Sequence, residues 1–202
     1  MRSIRKWLPT LLIQSLMIIL SVLAALAVNK WQEARDRARH AGEARVAFGN
    51  EIKANHDLLL SEAHLPLHRV LQTEYAKAAK GESFDTTISF ETSVHPPLFR
   101  DAAWRSFSTA SVMADLPPQL VLAFADIYHS QDSLDKRIEG FLNAQAAPRS
   151  DRETPAYQKD VTRAISLFLN DLVPAEERLV KTYTHALERL ASRSTLDDAP
   201  TK

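Results

Sequence analysis

The sequence predicts an all-α protein whose N-terminal transmembrane helix continues into an antiparallel helical bundle. Residues 8–28 form an apolar stretch without a charged side chain, and later segments place apolar residues at helical spacings of three and four. Only four glycines in 202 residues argue against a turn-rich β fold. We expect a cytoplasmic stub and anchor over residues 1–28, a bundle over residues 29–193 and a disordered tail over residues 194–202.

The apolar stretch over residues 8–28 is long enough to cross a membrane. A helix rises about 1.5 Å per residue, so this length covers the roughly 30 Å hydrocarbon core of a bilayer. Trp7 and Trp31 stand at its two ends, and tryptophan rings favour the membrane interfaces. The alternative is a cleaved signal peptide, because a basic start and the small-x-small motif at residues 25–27 match the pattern that a signal peptidase recognises. Length and the two tryptophans favour a retained anchor.

The basic residues near the apolar stretch do not fix its orientation by local counting, because they lie on both sides of it. An N-terminal stub that carries only the basic side chains Arg2, Arg5 and Lys6 is normally held in the cytoplasm, whereas long domains are translocated largely regardless of charge. We therefore expect a single-pass protein of the bacterial inner membrane, with a cytoplasmic N-terminus and a periplasmic main domain. A retained anchor and a cleaved signal peptide deliver the domain to the same compartment.

The composition excludes several classes of function. The first 28 residues hold 3 of the 25 Lys and Arg and none of the 25 Asp and Glu, which leaves 22 basic against 25 acidic residues and a net charge of −3. This balance gives no basic surface for nucleic acid or for anionic lipid. The absence of cysteine rules out disulfides, thiol nucleophiles and Cys-type zinc sites.

The predicted span carries a regular seam of polar and small residues. Gln14, Ser21 and Val28 repeat every seven residues, and Ala25 follows Ser21 by four. Such a seam suits contact with another membrane helix, either in a second copy of this chain or in another envelope protein. The alternative is that these residues are scattered by chance among lipid-facing positions. The bilayer itself is the first expected partner.

The rest of the chain predicts four or five amphipathic helices separated by proline-marked connections. They cover residues 31–59, 67–78, 98–111, 119–145 and a final helix from residue 157. Between the second and third, residues 84–95 alternate apolar and polar side chains as a strand does. This segment pairs with a strand of another chain or packs in extended form on the bundle. We favour the second interpretation because no other stretch of this chain offers a matching strand.

A small set of polar and aromatic residues is the candidate for a polar network or pocket. Glu51 and Asn55 lie four apart near the apolar stripe of the first helix, so they share a face. If both point inward they set the register of the bundle or hold a small polar ligand, and the alternative is an exposed pair. Glu176 lies close to the stripe of the last helix and needs a partner there, for which Arg105 and Asn55 are candidates. The full set is Glu51, Asn55, Trp104, Arg105 and Glu176.

The histidines are weak candidates for a metal site. His64 and His68 lie four apart, a spacing that can place two ligands on one ion, but Pro66 stands between them and no HExxH glutamate accompanies them. His56 joins them only if the helix stays regular. A surface histidine pair is the favoured interpretation, so we predict no metal and no cofactor. We also predict no catalytic residue, because the chain has neither a Gly-x-Ser-x-Gly elbow nor a glycine-rich phosphate loop.

Two stretches of the chain resemble a group of uncharacterised bacterial single-pass membrane proteins. The stretch AALAVNKWQEAR at residues 24–35 ends the apolar span in Asn-x-Trp-x-Glu, and EIKAN at residues 51–55 provides the Glu-Ile-x-x-Asn of the following helix. Ala103-Trp104 and the final helix at residues 176–190 are similar to the same group. The resemblance implies a retained anchor and brings no established activity with it.

Three hypotheses for function follow, in order of preference. The first is a membrane-tethered, non-enzymatic interaction module of the envelope that binds another protein or itself. The second is a ligand-binding sensor, which would act through the membrane helices of a partner because only about seven residues precede the span. The third is a metal-binding or hydrolytic protein built on His56, His64 and His68.

Overall fold

The computed structural model of the chain describes residues 4–83, 90–147 and 154–197. Its regular elements are all helical, which confirms the predicted fold class. In chain order they are α1 (Ile4–Leu60), α2 (Leu65–Ala79), α3 (Phe90–Ser93), α4 (Ala102–Phe107), α5 (Ala110–Ala114), α6 (Pro118–Ala146) and α7 (Pro155–Asp197).

The chain divides into two compact units, and the boundary lies within α1, between Glu43 and Ala44. In the first unit the large apolar side chains between Ile13 and Val28 are 52% to 65% exposed, so this unit does not bury them itself. Among the described residues one helix is long and apolar enough to cross a membrane, and its place near the N-terminus also fits a signal sequence. The described part of the chain thus has one N-terminal candidate for a membrane span or a signal sequence, as the sequence predicts.

The second unit is a helical bundle with a dense apolar core. Helices α2 and α6 both pack on α7, and Phe48 of α1 stacks on Phe124 of α6 with ring centroids 4.4 Å apart. Each large apolar side chain that is buried contributes roughly 1.5–3 kcal/mol relative to leaving it in water. The fully buried ones include Phe48, Ile52, Leu59, Leu71, Phe124, Ile127, Ile138, Leu169 and Leu172.

Prolines and a glycine set the ends of the helices, as their chemistry requires. Pro66 and Pro118 lie in the first turns of α2 and α6, where a missing N–H breaks no helical hydrogen bond. Gly81 follows α2 with a φ of +81°, a left-handed conformation that favours glycine. The predicted break at Pro66 lies just before this residue, between the end of α1 at Leu60 and the start of α2 at Leu65.

The prediction of an extended segment over residues 84–95 is wrong for part of that range. Phe90–Ser93 form the single helical turn α3, in which the Val94 N–H donates to the Phe90 carbonyl at 3.0 Å. A helical turn satisfies backbone groups locally, whereas an isolated strand would leave them unpaired. Phe90 is buried, and its N–H donates to the Tyr75 hydroxyl at 3.3 Å. Residues 84–89 lie outside the described residues.

The last helix is longer than its pattern suggests. Helix α7 extends to Asp197, past residue 193 where the sequence predicts a disordered tail, and Pro174 lies inside it. Residues 198–202 lie outside the described part of the chain. In the second unit α7 supplies the continuous surface on which α2 and α6 pack.

Candidate functional site

Two polar side chains on the buried face of α1 hold the segment that leads into α4. Glu51 and Asn55 are 7% and 1% exposed, so both point inward. The Asn55 amide pairs with the backbone of Arg100: Nδ2 donates to its carbonyl oxygen and Oδ1 accepts from its N–H, both at 2.8 Å. This two-way pairing satisfies a backbone that has no strand or helix partner at that point.

The Glu51 carboxylate binds at the start of α4. It accepts hydrogen bonds from the N–H of Ala103 at 2.8 Å and of Trp104 at 3.4 Å, and the Tyr128 hydroxyl donates to it. These N–H groups belong to the first turn of α4, where no intrahelical acceptor is available. Asp101 precedes α4 but its side chain does not cap the helix. Glu51, which lies on α1, caps it instead. Burial, followed by the bond to Glu51, raises the pKa of Tyr128, and its hydroxyl therefore stays a donor.

Aromatic rings surround this carboxylate. Trp104 stacks on Tyr128 with ring centroids 4.7 Å apart, and Phe48 meets the edge of Phe107 at 6.2 Å. Their low polarity strengthens the hydrogen bonds to Glu51, because water competes less for the carboxylate. The network is thus a rigid joint between α1, α4 and α6, with its donors and acceptors matched.

A second buried polar pair joins α2 and α7. His68 and Glu176 both have side chains that are 0% exposed, and His68 Nδ1 lies 2.8 Å from Glu176 Oε1. Within residues 4–83, 90–147 and 154–197, His68 Nε2 and Glu176 Oε2 have no hydrogen-bond partner. A carboxylate in this position orients an imidazole in metal sites and catalytic triads. Here neither side chain reaches the surface, so the pair connects two helices and presents no reactive group to solvent.

The prediction that Arg105 or Asn55 pairs with Glu176 is therefore wrong. Arg105 is exposed and pairs with Asp101 at 2.6 Å, and Asn55 is occupied by the backbone of Arg100. The true partner, His68, comes from a helix whose histidines the sequence places at the surface.

The structure consequently separates the five candidate residues into three places. Glu51, Asn55 and Trp104 come together around the start of α4, Glu176 lies on His68, and Arg105 stays at the surface. They do not converge on one pocket.

The predicted surface pair of histidines is wrong for His68 and correct only in part for His64. His64 is half-buried at the N-terminus of α2, and its ring centroid lies 6.2 Å from that of His68. Burial, followed by the charges of His68 and His95, lowers the pKa of His64. His56 approaches Asp57 at 3.3 Å and Thr184 at 3.4 Å. In the described ranges no group of three or more His, Asp or Glu side chains is arranged to hold a metal ion.

The structure describes the side chain of one of the two tryptophans predicted at the membrane interfaces. Trp31 is 63% exposed, and the Arg35 guanidinium lies 5.6 Å from its ring centroid, a cation–π contact on the helix surface. The Trp7 side chain lies outside the described residues. The interfacial position of both tryptophans stays a prediction.

One side of α6 carries a cavity with acidic and aromatic walls. Its volume is about 450 Å³, and Trp104, Tyr128, Asp101, Asp132 and Asp135 line it. Asp135 Oδ1 is buried without a hydrogen-bond partner among the described residues. Burial, followed by the charges of Glu139 and Asp132, raises the pKa of Asp135 to about 6. Asp101 and Asp132 already pair with Arg105 and Lys136, so Asp135 is the carboxylate of this cavity that has no ion pair among the described residues.

Comparisons of this chain with known protein families, with curated proteins and with solved structures each found no match. The resemblance carried by residues 24–35 and 51–55 accordingly stays a prediction. What the chain does must be argued from its own geometry.

Sequence reasoning misses the residues that complete both buried networks. Tyr128 lies on the apolar stripe of α6, and its need for a hydrogen-bond partner when buried is a signal that could have linked it to Glu51. The Arg100 backbone gives no comparable signal, because any residue there presents the same N–H and carbonyl groups. The sequence singles out His68 only as a surface histidine and weak metal ligand, and its contact with Glu176 joins residues 108 positions apart.

Proposed function

We propose that this chain is a membrane-tethered helical interaction module of the bacterial envelope, without enzymatic activity. In this proposal the apolar part of α1 spans the inner membrane, the N-terminus stays in the cytoplasm and the bundle of the second unit lies in the periplasm. The helix associates with another membrane helix, in a second copy of the chain or in another envelope protein.

The observation that supports the proposal is the hydrogen bonding of the two polar side chains of the seam, Gln14 and Ser21. Ser21 Oγ donates to the Met17 carbonyl at 2.8 Å, so its hydroxyl is satisfied inside the helix. Gln14 is exposed, and its amide makes no hydrogen bond with any described residue. An unpaired amide in hydrocarbon favours a neighbouring helix that can pair with it, because lipid tails offer no partner.

The packing of the second unit supports a binding role over a catalytic one. Four of its buried polar side chains, Glu51, Asn55, His68 and Glu176, contact the protein itself and do not line an open cleft. In this proposal the bundle is attached to the membrane helix and presents a stable surface to which partner proteins bind.

The test uses the full-length chain in its native membranes. A photo-crosslinking amino acid at position 28 lies on the same seam as Gln14 and captures either a second copy or another protein, which mass spectrometry identifies. We expect Gln14→Leu to lower the association of the helices about threefold to thirtyfold, and the crosslinked fraction with it, since one hydrogen bond between membrane helices contributes roughly 0.6 to 2 kcal/mol. Ser21→Ala is the matched control and should leave the fraction unchanged. The proposal fails if no light-dependent adduct forms, or if Gln14→Leu forms as much adduct as the unmodified chain.

The second candidate is a ligand-binding sensor that acts through a membrane partner. The cavity of about 450 Å³ beside α6 favours it, because its aromatic and acidic walls suit a small organic cation. A thermal-shift screen of the full chain with small amines tests it. A shift that Trp104→Ala abolishes would support the sensor, and no shift with any amine would exclude it.

A further inference from the structure

The groove between α6 and α7 collects positive charge that the protein does not neutralise. It encloses about 310 Å³, and its walls carry the guanidinium groups of Arg137 from α6 and Arg178 from α7. Its apolar floor includes Leu134 and Leu179, which are 4% and 3% exposed. No carboxylate lies among the residues that line it.

Among the described residues, the guanidinium groups of Arg137 and Arg178 make no hydrogen bond and no ion pair. Elsewhere in the protein, basic side chains on helices pair with carboxylates three or four residues away, as Lys53 does with Asp57 at 2.6 Å and Lys136 with Asp132 at 2.7 Å.

The sequence explains why these two arginines differ. A helix brings together residues three and four apart, and for neither arginine is any of the four positions so related acidic. For Arg137 they are Ser133, Leu134, Gly140 and Phe141, and for Arg178 they are Pro174, Ala175, Lys181 and Thr182. Two like charges consequently line one groove without a local counter-charge.

The remaining polar side chains of the groove are hydrogen-bond donors. They are His129, Ser130, Ser133 and Thr182. The Thr182 hydroxyl already donates to the Arg178 carbonyl at 2.9 Å, which leaves the other hydroxyls and the two guanidinium groups to bind an incoming acceptor. Guanidinium presents a planar fork of donors that matches two oxygens of one oxyanion, and hydroxyls supply single donors beside it.

From this arrangement we propose that the α6–α7 groove binds a phosphate group, held between Arg137 and Arg178 with hydroxyls of Ser130 and Ser133 as further donors. A phosphate fits better than a carboxylate because it offers more acceptor oxygens and up to two negative charges to the pair of arginines. The group belongs to a free phosphate, to a phosphate monoester or to the headgroup of a phospholipid. This site goes beyond the proposed interaction role, and its existence does not depend on what the membrane helix contacts.

The test titrates the purified full-length chain in an uncharged detergent at constant ionic strength. Isothermal titration calorimetry is run with inorganic phosphate, with glycerol 3-phosphate, with a short-chain phosphatidylglycerol and with chloride as the blank. We expect saturable binding of at least one phosphate compound. Binding of the first two identifies a soluble source, and binding of the phosphatidylglycerol alone identifies a lipid headgroup.

Variants separate the site from general charge attraction. Arg137→Gln and Arg178→Gln should each weaken binding about tenfold or more, because each removes charge-assisted hydrogen bonds to the ligand. Arg163→Gln changes the net charge by the same amount at an exposed position of α7 outside the groove, and it should bind like the unmodified chain. Far-UV circular dichroism checks that the exposed substitutions leave the fold intact.

Two results overturn the proposal. One is that no phosphate compound binds more strongly than chloride at matched ionic strength. The other is that Arg137→Gln and Arg178→Gln bind as well as Arg163→Gln does. Loss of helix crosslinking in the membrane assay bears only on the interaction role, so the two proposals fail separately.

Discussion

Two buried polar networks of the second unit, around Glu51 and around Glu176, differ in how completely their atoms are paired. Around Glu51 and Asn55, each side-chain oxygen and the amide nitrogen have a hydrogen-bond partner within the described residues. At the pair of His68 and Glu176, one ring nitrogen and one carboxylate oxygen have none. The difference shows that burial alone does not define a role: the first network fixes a loop in place, whereas the second links two helices with polar atoms left over.

The largest expected effect comes from breaking the incompletely paired network. Glu176→Ala removes the one side chain among the described residues that pairs with the His68 ring, and leaves that fully buried imidazole without a hydrogen bond to them. We expect a loss of about 3–5 kcal/mol in the free energy of unfolding, measured by urea denaturation of the full chain in detergent.

A double substitution sharpens that result. His68→Phe with Glu176→Leu fills the same space with apolar groups, and such replacements are often neutral or stabilising. The double variant should therefore recover most of the stability that Glu176→Ala loses. A double variant as unstable as the single one would show that the polar atoms themselves are required.

The next effect concerns the fully paired network. Glu51→Ala leaves the Ala103 N–H and the Tyr128 hydroxyl buried without their acceptor. We expect the free energy of unfolding to fall by about 3 kcal/mol for the two groups together. Glu51→Gln is the control, because its amide oxygen still accepts from one of these donors. We expect it to lower the free energy of unfolding by about 1 kcal/mol. Equal losses for the two variants would mean that charge matters here and hydrogen-bond pairing does not.

A third carboxylate, Asp135, has a buried oxygen with no hydrogen-bond partner in the described part of the chain. The pKa of Asp135 rises from 3.8 to about 6, so the folded state prefers its protonated form. The resulting stabilisation is present below pH 3.8 and is lost as the pH rises through about 6. Asp135→Asn should thus be more stable than the unmodified chain at pH 7, by about 1 kcal/mol after allowing for solvent screening of this partly exposed group.

The pH dependence provides the check on that substitution. The advantage of Asp135→Asn should shrink towards zero at pH 4, where Asp135 is protonated in the folded chain. A constant difference between pH 4 and pH 8 would assign the effect to packing instead of charge.

The smallest effect is expected at the surface beside the buried pair. Arg69 and Glu177 connect the same two helices at 2.7 Å, but their side chains are 55% and 38% exposed. Water screens such a pair, so Arg69→Gln should change the free energy of unfolding by less than about 0.5 kcal/mol. A loss close to that of Glu176→Ala would remove the distinction between buried and exposed pairs on which the comparison depends.

Local pattern predicts much of this fold, and tertiary contacts account for what it misses. The spacing of Phe48, Ile52 and Asn55 marks the inward face of α1, because residues three and four apart share a side of any helix. The strand-like alternation before Val94 misleads, since a short segment that finds no partner strand satisfies its backbone in a helical turn. Pairs such as Glu176 with His68 join residues 108 positions apart, and no local rule identifies them.

The proposed function requires that the apolar part of α1 stays in the chain and holds it in a bilayer. Alkaline carbonate extraction of membranes from producing cells, followed by the intact mass of the recovered chain, tests it directly. With a retained anchor, we expect the chain to remain in the membrane pellet with residues 8–28 still attached. A chain released into the supernatant, with a mass that begins after Ala27, would contradict it.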